Sequence, residues 1–287
     1  MKNQSIVGVD VGGTKISIGR IVDGNIVAET SFPTHAHRSE DEIIQDIIRG
    51  IEKVIESNTI AIGIGSPGLV DEELGMVYDV ANIPSWKEVR LREKIEAHFN
   101  RIVQISNDAN CFVMGEKIFG KGKKYRNFVG ITLGTGVGGG IIIDHKLYPG
   151  TLMAGEFCGI PYLGKNYDFY CGSKFFSEKH GMSGLEVSQR IQEGDKNAQK
   201  IFDEYGEHLG NLFKTIILIL NPEAIIIGGS IAKSYAQFEN SLKNSLTEFS
   251  LNRVINRLHI EVSEINSIAV IGAAALVYNH KRFVEVF

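Results

Sequence analysis

The sequence predicts an α/β fold with a duplicated mixed-sheet core, and three observations carry that prediction. Strand-like apolar runs alternate with segments of helical period along most of the chain. A strand, glycine turn, strand unit occurs twice. Ile6-Val7-Gly8-Val9-Asp10 leads through Val11-Gly12-Gly13-Thr14 into Ile16-Ser17-Ile18-Gly19-Arg20-Ile21, and Phe128-Val129-Gly130-Ile131-Thr132-Leu133 leads through Gly134-Thr135-Gly136-Val137-Gly138-Gly139-Gly140 into Ile141-Ile142-Ile143. Laid together without a gap, Val129-Gly130 falls on Val7-Gly8 and Gly134 on Gly12, which reads as an internal duplication. At 287 residues the chain also has the length of two lobes, each with its own core.

Each element has a local reason. The first strand is a buried apolar run that ends on a carboxylate, Asp10, and its returning partner is followed by Asp23-Gly24, a two-residue hairpin signal before Ile26-Val27-Ala28. At Ser39 the period changes: Ser39 with Glu42 makes a capping box, and Ile43, Ile44, Ile47, Ile48, Ile51, Val54 and Ile55 mark one face of a helix. Residues 59–64 read as a strand ending at the turn Gly65-Ser66-Pro67-Gly68, residues 88–99 as a helical segment, and residues 101–105 as a strand leading to Asn107-Asp108-Ala109-Asn110. A helix over 108–119 precedes the second meander, whose third strand begins at Lys146-Leu147-Tyr148. There follow a long helix over 198–220, the strand Ala224-Ile225-Ile226-Ile227, the turn Gly228-Gly229-Ser230, a helix ending near 247, the strand His259-Ile260-Glu261-Val262 and a closely packed helix from 268 to 278. No low-complexity linker interrupts this order, so the lobe boundary is expected inside compact structure. The expected division is a small N-terminal lobe, 1–107, with a C-terminal helix, 268–287, packing back on it, and a large lobe, 108–267.

Composition excludes several classes of function. An apolar fraction of 43% with 22% charged residues belongs to an ordinary globular protein, and no apolar run approaches the roughly 18 residues of a membrane span. The chain passes from Met1-Lys2-Asn3-Gln4-Ser5 directly into a strand, with no signal-peptide pattern, so a cytoplasmic address is expected. A net charge of −4 and a single short basic cluster, Lys121 to Arg126, give no footprint for nucleic acid. Cys111, Cys158 and Cys171 form neither a close pair nor a metal-ligand spacing and are expected as reduced thiols.

The glycine motifs are the candidates for chemistry. Gly134, Gly136 and Gly139 satisfy G-x-G-x-x-G, and Glu156 lies downstream as a dinucleotide fingerprint would have it, but the strand Ile141-Ile142-Ile143 stands where a helix N-terminus is needed. Gly13-Thr14-Lys15 lacks the first glycine of a P-loop. There remain two matched turns whose backbone N–H groups, with the Thr14 and Thr135 hydroxyls, are suited to phosphate oxygens; a single such turn could equally serve only to close a hairpin. Asp10 either holds Mg²⁺ through water or accepts hydrogen bonds from the turn that follows it, and Lys15 is either a point charge for a phosphate or an exposed strand lysine. Asp108 stands near a helix N-terminus, where its ionised form is favoured and a low pKa is expected; the alternative is a helix-start carboxylate with Asn107 as cap. A weak, well-placed base suffices for phosphoryl transfer, in which the nucleophile loses its proton late.

Taken in order, Val9-Asp10-Val11-Gly12-Gly13-Thr14-Lys15, Gly65-Ser66-Pro67-Gly68-Leu69-Val70-Asp71, Asn107-Asp108-Ala109-Asn110, Leu133-Gly134-Thr135-Gly136-Val137-Gly138-Gly139-Gly140 and Ala154-Gly155-Glu156 resemble the ROK family of sugar kinases, in the actin/hexokinase/Hsp70 ATPase superfamily. The resemblance covers nearly the whole chain. It implies a two-lobed, actin-like (ribonuclease H-like) ATPase fold, a homodimer, and transfer of the γ-phosphoryl group of ATP, with Mg²⁺, to a hexose hydroxyl, usually the 6-hydroxyl. Carried over residue by residue, Asp108 is the catalytic base; Asn107 and Glu156 bind sugar hydroxyls, with Gly68 and Asn82 beside the sugar. Asp10, Gly12, Gly13, Thr14 and Lys15, with Gly134, Thr135 and Gly136, form the two phosphate motifs, and Gly228 and Gly229 the adenosine motif. The chain departs from the family pattern where many members carry a histidine three residues after the motif glutamate, here Gly159, and a cysteine-rich zinc segment, of which only Cys171 is present. No zinc is therefore expected, and Asp168 aligns with a sugar-binding glutamate. Glucose is the default substrate, with N-acetylhexosamine, fructose or a β-glucoside as alternatives. Transcription factors of the same family add an N-terminal helix-turn-helix, for which the strand beginning at Ile6 leaves no room; a sugar-binding protein without catalysis would leave Asp108 and the phosphate turns unexplained.

Overall fold

A computed structural model describes residues 4–248 and 250–279. The residues fall into two compact units, 1–123 with 146–154 and 264–287, and 124–145 with 155–263. Among the described residues no helix is long and apolar enough to cross a membrane.

The first unit is a mixed sheet with helices on both faces. Strands β1 (Ser5–Val11), β2 (Lys15–Val22) and β3 (Asn25–Pro33) form the antiparallel meander, and β4 (Thr59–Ser66) and β8 (Ile102–Asn107) extend it in parallel, in the order β3-β2-β1-β4-β8. Asp23 and Gly24 both take positive φ, 49° and 80°, as the two-residue turn requires. Between β4 and β8 lie a small antiparallel sheet, β5 (Leu69–Asp71), β6 (Met76–Tyr78) and β7 (Glu88–Val89), and helix α2 (Leu91–Phe99); α1 (Glu40–Glu52) precedes β4 and carries the expected Ser39/Glu42 capping box. Period-two alternation sorts β1 into two faces. Val7, Val9 and Val11 join Ile43, Ile47, Ile51 and Ile95 in the core beneath α1 and α2, whereas Ile6 packs with Ala61, Val270 and Ala274 on the opposite face.

That opposite face is built by close approach. Helix α9 (Ile268–Ala275) lies so near the sheet that a Cβ on Gly8 would run into the Val270 carbonyl, and one on Gly63 into the Ala273 carbonyl. Helix α3 (Asp108–Phe119) packs beside it, Gly115 against Gly272, with 3.0 Å between the position of a Gly115 Cβ and the Gly272 Cα. The expected boundary at residue 107 therefore differs from the observed division: α3 belongs with the first unit because its partner is α9. The part of the expected C-terminal helix beyond residue 279 lies outside the described residues; within them the helix gives way to a 3₁₀ turn at Leu276–Asn279.

The second unit repeats the scheme. Strands β9 (Phe128–Leu133) and β10 (Val137–Ile143) form the hairpin, β11 (Lys146–Leu147) follows in sequence, and β14 (Ala224–Gly228) and β15 (His259–Val262) lie parallel to β9 in the order β10-β9-β14-β15. Gly130 pairs with Gly140 much as Gly8 pairs with Gly19, but Leu133 pairs with Val137 across three residues where Val11 pairs with Ile16 across four, so the strand, glycine turn, strand order is duplicated while the return strand is shifted by one residue. A hairpin, β12 (Pro161–Tyr162) and β13 (Lys165–Asn166), a short helix α4 (Tyr167–Cys171), a π turn at Phe175–Lys179 and α5 (Gly184–Gln192) lead into the 25-residue α6 (Lys196–Leu220). Helix α7 (Tyr235–Thr247) lies against α6, Gly206 and Gly210 meeting Ser241 and Ser245, and α8 (Asn252–Ile255) leads into β15.

Substituting Gly63→Ala should cost on the order of 2 kcal/mol of stability, because the added methyl meets a backbone carbonyl that cannot turn aside. Gly159→Ala, whose methyl meets nothing within 4 Å, should stay within about 0.5 kcal/mol. Equal urea midpoints for the two variants would contradict this account of the α9 interface.

Candidate functional site

The C-terminal ends of the parallel strands in the first unit gather the expected residues. Asp10, Gly65 and Ser106 stand in one register row across β1, β4 and β8, with Ser66 beside Asn107 in the next. Asp10 lies on the same face of β1 as Gly8, the face covered by α9 and α3. The carboxylates of Asp10 and Asp108 therefore approach closely enough that Asp108 raises the Asp10 pKa.

The turn after β1 is fastened at its edges and open at its tip. Gly12 N–H donates to the Lys15 carbonyl at 3.0 Å, and Thr34 donates from its backbone to the Thr14 carbonyl at 2.9 Å and from its hydroxyl to the Gly12 carbonyl at 2.6 Å. Among the described residues the N–H groups of Gly13 and Thr14 donate to nothing, and the Thr14 side chain is exposed. Gly13 has no room for a side chain, since its Cβ would stand 2.5 Å from that of Asn82. This contact places Asn82 beside the glycine turn. Gly68 holds a φ of +87° over the Tyr78 carbonyl.

At the strand–helix junction Asn107 is the N-cap of α3, its Oδ1 accepting the Asn110 N–H at 2.7 Å. Its Nδ2 has no partner among the described residues. Asp108 accepts the Ala109 N–H at 2.9 Å. The expected low pKa of Asp108 is overturned: burial is the largest influence and raises it, outweighing the backbone N–H groups that lower it. The residue nevertheless keeps an exposed surface, so the carboxylate is crowded by protein and still reachable by solvent. Burial, and then the Asp108 charge, hold Asp10 up to about 6, with Lys15 acting in the opposite direction.

One carboxylate of this group was absent from the sequence reading. Glu72 follows β5, and its Oε1 accepts the Ser106 hydroxyl and, at 3.4 Å, the Asn110 Nδ2. Burial raises its pKa, against the pull of those two donors. The buried Cys111 thiol is pushed up by burial and by the charges of Asp108, Asp10 and Glu72. Nothing in Asp71-Glu72-Glu73 distinguishes the member that turns inward.

The second unit assembles the remaining residues. Gly134 N–H donates to the Gly136 carbonyl at 3.0 Å, while the N–H groups of Thr135 and Gly136 have no partner among the described residues. Ser173 closes the turn from below, its N–H reaching the Gly134 carbonyl at 2.9 Å and its hydroxyl the Thr135 carbonyl at 3.1 Å. Gly229, at φ +89°, crosses directly over the Leu133 carbonyl, which sets the Gly228-Gly229 turn against the start of the second glycine turn. Asp168 lies against Gly136: its Oδ1 accepts the Val137 N–H at 3.0 Å and its Oδ2 is 3.5 Å from Lys174 Nζ. Glu156 follows Gly155, which packs on the Gly139 carbonyl, and accepts a hydrogen bond from Cys158 Sγ at 3.3 Å. Burial, then Glu156 and then Asp168, push the Cys158 thiol up to about 12.

The residues fit a hard cation at Asp10. No hydrogen bond from the described residues ends on its carboxylate, so the oxygen ligand is uncommitted, and oxygen is the donor Mg²⁺ takes. No cluster of three or more His, Cys, Asp or Glu side chains suited to a metal occurs among the described residues, so a cation there would rely on water and phosphate for its other ligands.

Comparison with known proteins agrees with this geometry. The family model described as "ROK family" matches residues 6–280. A glucokinase of Thermotoga maritima is 27% identical over 96% of this chain and 98% of its own, and a xylose repressor of Caldicellulosiruptor bescii is 29% identical over 95% of this chain and 78% of its own. The crystal structure of a ROK family glucokinase from Streptomyces griseus, in complex with glucose and AMPPNP, superposes with a TM-score of 0.78 at 25% identity, covering 95% of this chain and 98% of that one. Its fold is thus the two-domain actin-like ATPase fold, and the chain belongs to the ROK family.

Proposed function

We propose that the protein is an ATP-dependent hexose kinase that transfers the γ-phosphoryl group to a sugar hydroxyl, the 6-hydroxyl of glucose in the default case. The observation that carries this reading is Asp108: a reachable carboxylate of raised pKa, beside Asp10, at the C-terminal end of a parallel strand and in the same unit as an open glycine turn. The similarity to glucokinases, one of them seen with glucose and an ATP analogue, supports it. N-acetylhexosamine, fructose and β-glucosides are the alternative acceptors.

In this reading the acceptor hydroxyl lies against Asp108, oriented by Asn107 through its free Nδ2 and flanked by Gly68 and Asn82. As the hydroxyl oxygen forms its bond to the γ-phosphorus, the bond from phosphorus to the bridging oxygen breaks and ADP leaves. The hydroxyl proton passes to Asp108. Because that proton leaves late, a carboxylate suffices, and the raised pKa makes it a better acceptor than an ordinary aspartate. The free N–H groups of Gly13 and Thr14 in the first unit, and of Thr135 and Gly136 in the second, are assigned to phosphate oxygens, with Lys15 as a nearby positive charge. Gly228 and Gly229 are assigned to adenosine, and Glu156 and Asp168 to the sugar side of the second unit. Asp10 would hold Mg²⁺ through water, and the ion would neutralise charge on the β- and γ-phosphate oxygens.

Incubation with Mg-ATP and a panel of sugars should show ADP release stimulated by one or a few hexoses. If every sugar leaves the rate at the water background, the kinase reading fails and a sugar-sensing role, as in the repressor relatives, takes its place. Asp108→Asn should lower kcat by on the order of 10²–10⁴-fold while ATP and sugar binding, followed by calorimetry, stay close to wild type.

Asp10 makes a prediction in pH. Its pKa is raised in the folded protein, so it favours the fold fully below the ordinary aspartate value, and that contribution is lost as pH rises through about 6. Without ligands, Asp10→Asn should therefore melt above wild type at pH 7.5, the gap closing as pH falls through 6 toward 4. The same variant should lose activity. A melting difference independent of pH would show that Asp10 is not held up by its surroundings.

A further inference from the structure

Glu72 has no part in the transfer step above, yet it is the most deliberately placed side chain near Asp108. Its loop is fixed from three directions. Asp71 Oδ1 accepts the N–H groups of Glu73 at 3.0 Å and Leu74 at 2.8 Å, and the Gly75 N–H closes on the Asp71 carbonyl at 2.8 Å. Arg92, from the second residue of α2, donates to the carbonyls of both Glu72 and Glu73, and its own N–H donates to the Gly75 carbonyl at 3.1 Å. Gly75 stands at φ +74° with no space for a side chain against Arg92. The four residues between β5 and β6, Glu72 to Gly75, are thereby fastened at both ends and along their length.

The loop delivers one carboxylate oxygen to two donors that bracket Asp108. Ser106 is the second residue before Asp108, on β8; Asn110 is the second after it, on α3. Both are buried, Ser106 at 0% and Asn110 at 4% exposure, so neither donor has water as an alternative partner. Asn110 is also tied through its backbone to Asn107, so the bridge fixes the strand end, the cap and the first helical turn as one body. Burying a carboxylate is costly, and a neutral side chain would be cheaper if packing were all that was needed. A strong double acceptor is what can pull two groups on either side of a junction toward one point.

We propose that Glu72 is the positioning residue of the active site: by bridging Ser106 and Asn110 it sets where the Asp108 carboxylate stands relative to the acceptor hydroxyl. This rests on the kinase reading for its catalytic consequence, though the bridge itself can be tested without turnover. An error of about 1 Å in such a group is worth on the order of 10² in rate. Glu72→Ala should therefore lower kcat by about that factor with KM for ATP and for the sugar within about twofold of wild type. Glu72→Gln keeps an acceptor oxygen of the same reach and should recover most of the loss, whereas Ser106→Ala, which removes the strand-side donor, should reproduce part of it. A folded Glu72→Ala with wild-type kcat, or a loss that appears equally in ATP affinity, would overturn the proposal. Should Glu72→Ala fail to fold, Ser106→Ala carries the test by the same split, with Glu72→Gln close to wild type; a wild-type kcat in Ser106→Ala would then overturn the proposal. If no sugar supports turnover by the wild type, amide hydrogen exchange decides: the peptide spanning residues 107–110 should exchange faster in Ser106→Ala, and in Glu72→Ala where it folds, than in wild type or Glu72→Gln, with peptides of α1 unchanged. Unchanged exchange at 107–110 would overturn the bridge whatever the protein's activity.

Discussion

The first unit depends on how closely α9 approaches the sheet. Gly8 and Gly63 are glycines because backbone carbonyls of α9 occupy the space where their Cβ atoms would be, and Gly115 and Gly272 repeat the condition between α9 and α3. Backbone against backbone leaves little slack, since interiors yield only by fractions of an ångström before something must shift. With α9 pinned to β1 and β4, and α3 pinned to α9, the first turn of α3 can begin in only one place relative to the ends of the strands. Asp108 is positioned by that chain of contacts before any of its own hydrogen bonds is counted.

Electrostatics then set its character. A helix N-terminus favours an ionised carboxylate, an effect worth up to about 1 kcal/mol in exposed settings. Crowding by protein pulls the other way and is the larger influence on Asp108. Asp10 beside it is held up first by burial and then by the Asp108 charge, so the two aspartates load the folded chain with repulsion that a divalent cation would relieve. Repulsion of this kind costs stability, and β1 and β8 can carry it because the remainder of the sheet is apolar and closely packed.

How much of this was legible in the sequence follows from whether each feature is local. The Asp23-Gly24 hairpin, the Ser39/Glu42 cap and the two strand, glycine turn, strand units are written in neighbouring residues and stand where they were expected; the one-residue difference between the two hairpin loops is not written there. The stretch from 157 to 192 was not legible. Its π turn and short helices carry no period of their own; Phe175 and Phe176 are held by Phe202, Tyr205 and His208, aromatic contacts from a helix some thirty residues on. The place of α3 in the first unit rests on contacts between Gly115 and Gly272, too far apart in sequence to be seen there. Glu72 stands among three acids in a row, and only the loop geometry shows which one turns inward. The Asp108 pKa was misjudged because the helix end is visible in the sequence and the crowding around it is not.

Gly159 ends the 3₁₀ turn Phe157–Gly159 that begins after Glu156, and a Cβ there would project into open space. A residue without neighbours is free of the packing constraints that bind Gly8, Gly63 and Gly13. A Cβ can be added there without meeting a neighbour, three residues from a glutamate that the proposed function assigns to the sugar. A side chain can thus be introduced at this one position while the core, the two glycine turns and the placement of Asp108 remain as they are. The chain is packed without slack around Asp108 and unconstrained at Gly159.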